Sequence, residues 1–250
     1  MNLTQLKKSI SLGCLSVLIG LAIPVFAFCA DVDVYAEGAI DETELIVYVY
    51  ADVNVDNLLS YGVSLNYDSS ELSVVQVQKD PDPIPYTSNE TKWYLGETWA
   101  SYKNNPDPDY SVPDEIIIIG GKLDPADPAQ GVEQGTRVLL AMVVFEPEDV
   151  QIPANPTLFL SYARGDGTSS YKNFVRLNNN TPEVLDGENV YFGSVEVFQL
   201  GDADGNGAIS PKDVNAVKFN MGNADAPCYM DCDKNGSITP SDINCIKSKI

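Results

Sequence analysis

Asp202-Ala203-Asp204-Gly205-Asn206-Gly207-Ala208-Ile209-Ser210-Pro211-Lys212-Asp213 returns 29 residues later as Asp231-Cys232-Asp233-Lys234-Asn235-Gly236-Ser237-Ile238-Thr239-Pro240-Ser241-Asp242. Both copies put oxygen side chains at positions 1, 3, 5 and 12 of a twelve-residue phrase, and glycine at position 6. That spacing lets a loop wrap a calcium ion, a hard cation that takes roughly 6–8 oxygen ligands. Asp202, Asp204 and Asn206 supply the side-chain oxygens at 1, 3 and 5 of the first loop, and Asp231, Asp233 and Asn235 those of the second. The backbone carbonyl of Ala208 or Ser237 adds a ligand at position 7, and Asp213 or Asp242 closes the shell at position 12. Glycine at position 6 permits the positive φ of the chain reversal. Two Ca2+ ions are the expected cofactors.

Each loop runs into a short helix. Ser210 and Thr239 are N-cap residues, and Pro211 and Pro240 suit the first helical turn. Asp213 and Asp242 lie at the positive end of the helix dipole. Val214 and Val217, like Ile243 and Ile246, fall three apart on one face and are expected to pack the two helices together. Ile209 and Ile238 at position 8 can pair the loops. Position 12 is Asp rather than Glu, and no helix precedes either loop: Val195–Phe198 reads as a strand and Asp225–Pro227 as a turn. This duplicated loop and exiting helix resembles the dockerin module of type I, with two F-hand calcium loops in a small all-α unit over residues 199–250. The resemblance implies a cohesin domain of another protein as partner. It also implies that positions 10 and 11 (Pro211, Lys212, Pro240 and Ser241) help select that partner. Proline lacks the hydroxyl often found there, which puts the usual specificity in doubt.

The chain has 250 residues, 36 acidic and 15 basic, and no histidine. A net charge of −21 disfavours nucleic acid and anionic membranes as partners. The lack of histidine excludes histidine-based triads and histidine metal sites. No carboxylate pair stands in a glycosidase motif, so the chain reads as non-catalytic. Residues 1–30 read as a secretory signal peptide: Lys7 and Lys8, an apolar run from Ile10 to Phe28, and small residues for cleavage. The competing reading is an uncleaved anchor. Export implies an oxidising setting, where one disulfide among Cys228, Cys232 and Cys245 is expected, with Cys245 as one end. The sequence does not choose the pair.

Residues 31–198 alternate as β-strands do. Strands are expected at 44–50, 61–67, 72–77, 116–119, 138–145, 158–160, 175–177 and 190–197, with Asp, Asn, Gly and Pro at the turns. The fold class is mainly β, a sandwich or jelly roll followed by the small helical unit. Within it, Tyr61-Gly62-Val63-Ser64-Leu65-Asn66-Tyr67-Asp68-Ser69-Ser70-Glu71-Leu72-Ser73-Val74-Val75-Gln76-Val77 is similar to a strand, Tyr-Asp turn and strand of cohesins. Gly135–Phe145 resembles a later buried strand of that family. Residues 80–115 depart from it: they are long, proline-broken and aromatic, and Trp93 and Trp99 there are candidate carbohydrate contacts, against the plainer reading of rings that pin a loop.

The two resemblances together imply a secreted or cell-surface adaptor in polysaccharide-degrading or cell-surface assemblies of the cellulosome type. Its dockerin would bind a cohesin elsewhere, and its sandwich would receive a second dockerin. The alternative is a carbohydrate-binding sandwich tethered through its dockerin, with a polysaccharide as ligand. The two parts are joined almost directly, and ion removal is expected to unfold residues 200–250 and leave the sandwich intact.

Overall fold

The computed structural model describes residues 30–55, 58–78, 113–121, 135–163, 174–179, 181–185 and 187–250. The expected signal peptide, Trp93 and Trp99 lie outside the described residues. Ten strands form two sheets: β1 (Val32–Asp41), β2 (Glu44–Val53), β3 (Leu58–Tyr67), β4 (Leu72–Gln78), β5 (Glu115–Gly121), β6 (Gly135–Pro147), β7 (Leu158–Tyr162), β8 (Phe174–Asn178), β9 (Thr181–Leu185) and β10 (Val190–Gln199). The first sheet has the order β10-β1-β2-β6-β4. The second runs β5-β3-β8-β9, with β7 also paired to β3. No helix among the described residues is long and apolar enough to cross a membrane.

Between the sheets lies one apolar core. β2 contributes Leu45, Val47, Val49, Ala51 and Val53 from alternate positions, β3 Tyr61, Val63, Leu65 and Tyr67, and β6 Val138, Leu140, Val143 and Phe145. Period-two alternation in the sequence is thus a sheet with one face inward. β6 reads instead as a continuous apolar run because it is covered on both faces: Leu139 is buried as well, in a separate cluster with Tyr50. The β1–β10 pair is parallel, Val32 lying opposite Val190 and Ile40 opposite Gln199. Parallel neighbours need a long crossover, and here everything between β1 and β10 serves as one. The first described strand is thereby locked beside the last.

Two strands were absent from the sequence expectation. β1 sits inside the first sheet, between β10 and β2. Its pattern is blurred by small residues and by Glu37, which is buried. β9 contains Pro182 and lies at the edge of the second sheet, where a missing N–H costs the ladder little.

β10 feeds directly into the C-terminal unit, and the Leu200 N–H donates to the Ile40 carbonyl at 2.8 Å. The unit holds α1 (Pro211–Phe219), a 3-10 turn at Cys228–Met230 and α2 (Pro240–Lys249). Val214, Val217, Ile243 and Ile246 are buried together with Ile238, Tyr229 and Met230. The disulfide joins Cys232 to Cys245, and Cys228 is a buried free thiol. The two parts meet at more than the chain connection. The cluster of the C-terminal unit also takes in Ala39, Tyr48 and Phe198 from the first sheet. The unit therefore rests on the outer face of that sheet.

Candidate metal centres and their attachment to the sandwich

The two loops fold alike. Positions 4 and 6 are left-handed in both: Gly205 and Gly207 at φ 66° and 87°, Lys234 and Gly236 at φ 56° and 85°. Lysine in that region is strained where glycine is not, so the second loop keeps a shape that its own residue resists. The aspartates at positions 1 and 12 then do the same work in each copy. Asp202 accepts the N–H groups of Asn206 (3.1 Å) and Gly207 (2.7 Å). Asp231 accepts those of Asn235 (3.2 Å) and Gly236 (2.8 Å). Asp213 accepts from the Asp204 and Ser210 N–H groups at 2.9 and 2.7 Å, and Asp242 from Asp233 and Thr239 at 3.1 and 2.7 Å. The last bond in each set closes a capping box, with Ser210 or Thr239 as N-cap.

These bonds aim the carboxylates at one point. Asp202, Asp204 and Asp213 each bring an oxygen within 4.8 Å of the others, as do Asp231, Asp233 and Asp242. Asp202, Asp213 and Asp242 are wholly buried and Asp231 is 2% exposed. Among the described residues, no ion pair reaches Asp202, Asp204 or Asp213. Buried carboxylates in such proximity repel one another unless a cation sits among them. An all-oxygen donor set suits a hard divalent ion, so the residues present fit calcium.

The copies differ at position 5. Asn206 turns its side-chain amide N–H to Asp204, whereas the Asn235 side-chain oxygen accepts the Ser237 N–H at 3.0 Å. Ala208 and Ser237 at position 7 are exposed. Pro211, Lys212, Pro240 and Ser241 all lie exposed on the first turns of α1 and α2.

A second polar group was missed by sequence reasoning. On the outer face of the first sheet, the Arg137 guanidinium donates two bonds to the Glu37 carboxylate, at 2.6 and 2.7 Å. It also donates to the Ala226 carbonyl at 3.1 Å and stacks 4.3 Å from the Tyr50 ring centre. Glu37 accepts the Cys228 N–H at 3.2 Å. Burial works against the Arg137 charge, yet the Glu37 bonds and the surrounding tyrosines raise its pKa further. Nearby, Lys234 pairs with Asp41 at 2.5 Å, and Lys249 approaches the same carboxylate at 3.7 Å. Burial tends to raise the Asp41 pKa, but the two lysines outweigh it and hold it low. The one sign of this group in the sequence is an arginine heading a long apolar strand. Its partner lies 100 residues away.

Two packed sheets bearing a tandem acidic-loop unit define the class of this protein. Among solved structures, the chain is similar to the seventh ScaB type I cohesin from Pseudobacteroides cellulosolvens (15% identity, 66% of this chain and 91% of that one, TM-score 0.41). It is also similar to a chain of the Coh-OlpC–Doc435 type I cohesin–dockerin complex from Clostridium thermocellum (18%, 70% and 99%, TM-score 0.37). A third is the non-cellulosomal cohesin from the archaeon Archaeoglobus fulgidus (16%, 67% and 87%, TM-score 0.33). No protein-family model matches the chain, and no curated protein does.

Proposed function

We propose that the protein is an exported, non-catalytic adaptor whose C-terminal unit binds two calcium ions and docks a cohesin domain of another protein. The observation that carries this reading is the pair of aspartate triads, each held by the same backbone bonds in a duplicated loop. Calcium would supply the positive charge that lets the buried carboxylates coexist. The chain's own residues do the rest. Asp202, Asp213, Asp231 and Asp242 pin the loop backbones, Ser210 and Thr239 start the helices, and the apolar faces of α1 and α2 fix the distance between them. The product is a rigid pair of helix starts displaying Pro211, Lys212, Pro240 and Ser241. The sandwich is read as cohesin-like from the Tyr61–Val77 phrase and receives a dockerin from a further chain.

The test uses the full chain. Immobilised type I cohesins should retain it in calcium and release it in chelator. Lys212→Ala and Ser241→Ala should each weaken retention by a few-fold, or be tolerated singly and not together if the pseudo-symmetric faces substitute for one another. Retention that ignores calcium, or that survives the double substitution, sinks the reading.

A further inference from the structure

The two loops are not equivalent in their surroundings. Among the described residues, the side-chain hydrogen bonds and ion pairs that join the sandwich to the C-terminal unit reach the second loop, its approach segment or the helix it feeds. Arg137 holds the Ala226 carbonyl and Glu37 holds the Cys228 N–H, five and three residues ahead of Asp231. Lys234, at position 4 of the second loop, pairs with Asp41 and lies 3.9 Å from Glu44. Lys249 at the end of α2 approaches the same Asp41 carboxylate at 3.7 Å. The equivalents of Lys234 and Lys249 in the first copy are Gly205 and Asn220, which carry no charge. The first loop meets the sandwich chiefly through the Phe198 ring beside Gly205 and the chain connection at Leu200.

We propose that Glu37 and Arg137 are positioning residues for the second ion site: by fixing residues 226–228 against the first sheet they pre-order Asp231, the first ligand of that loop. The inference rests on the calcium reading above and deepens it, since it makes one of the two sites dependent on the sandwich. The physical reason is linkage. Ordering the approach segment before the ion arrives removes a cost that binding would otherwise meet, so docking and second-site occupancy favour each other by the same factor. The Glu37–Arg137 pair suits this role. It is two-toothed, largely excluded from water and has further bonds to the backbone it holds. A buried pair is a weak source of net stability, but it is strict about geometry.

The test compares Glu37→Gln/Arg137→Met with the parent chain by calorimetric titration of Ca2+. The double substitution leaves the net charge unchanged, so through-space electrostatics at either site stays nearly constant. It is made in two backgrounds, Asp202→Asn to silence the first loop and Asp231→Asn to silence the second. The second site, seen in the Asp202→Asn background, should weaken about ten-fold, within the usual range of coupling between sites. The first site, seen in the Asp231→Asn background, should change less than about two-fold, inside the error of independent sites. Arg137→Lys keeps the charge and loses the two-toothed fit. It should show a smaller loss confined to the second site, and it serves if the double variant fails to fold. Equal weakening of both sites, or no change at either, overturns the inference. If the parent chain itself takes up no calcium, the underlying calcium reading fails instead.

Discussion

Removing divalent ions should destabilise the whole described molecule, not its C-terminal unit alone. In each loop three carboxylate oxygens lie within 4.8 Å of one another, and at that separation the buried pair, Asp202 with Asp213 or Asp231 with Asp242, repels by about 3.5 kcal/mol at an effective dielectric of 20, while water screens the exposed Asp204 and Asp233. The backbone N–H bonds offset part of this, and the ion offsets the rest. By mass action, an ion held at a hundred times its dissociation constant contributes about 2.7 kcal/mol per site, or about 5 kcal/mol for two. For a chain of this length each kcal/mol moves the melting midpoint by roughly 2–4 °C, so chelation should lower it by about 10–20 °C. The contact with the sandwich decides how the loss is shared. Ala39, Tyr48 and Phe198 belong to the same buried cluster as the two helices, so a melted C-terminal unit uncovers the outer face of the first sheet and the Glu37–Arg137 pair. Differential scanning calorimetry of the full chain in calcium and in chelator measures this. The expected result is one endotherm in calcium and, in chelator, a shift that includes the sandwich. Superimposable endotherms in the two conditions would mean that no divalent ion holds the loops together.

Ile246 is fully buried between the helices, and Ile246→Ala should cost about 2–5 kcal/mol in urea unfolding, the usual range for such a truncation. Cys228 is buried and its thiol is pushed well above the ordinary range by burial, then by the Glu37 charge. It should resist an alkylating reagent in the native protein and react once denaturant is added, as read by peptide mapping. Asp41 titrates below its ordinary value, because Lys234 and Lys249 outweigh the upward push of burial. A depressed carboxylate contributes stability that is present above its unfolded pKa, about 3.9, and is lost as pH falls through its folded value. Asp41→Asn should therefore be less stable than the parent at pH 6, and the gap should close as pH drops below about 4, by denaturation in chelator.

Much of the fold was legible where one residue type decides a local outcome. Tyr61–Tyr67 and Leu72–Val77 alternate because one face of each strand meets the core, and the structure places strands there. Ser210 and Thr239 announced two helix starts, and both cap as expected. What was illegible depends on partners far away in the chain. β1 hides a buried glutamate that is tolerable only because Arg137 reaches it across the sheet. β9 carries a proline that only its edge position excuses. The disulfide joins position 2 of the second loop to a residue of α2, with the Cα atoms 5.8 Å apart. Three nearby cysteines in the sequence could not show which two would meet at that distance. The seating of the C-terminal unit on the first sheet was equally hidden, because residue spacing says nothing about which outer face a small unit will cover.

The most direct measurement is native mass spectrometry of the intact chain, equilibrated with calcium and then desalted. Two calcium ions should be bound to the parent and one to each of Asp202→Asn and Asp231→Asn. A parent chain that carries none, or a variant substituted in both loops that still carries two, would contradict it.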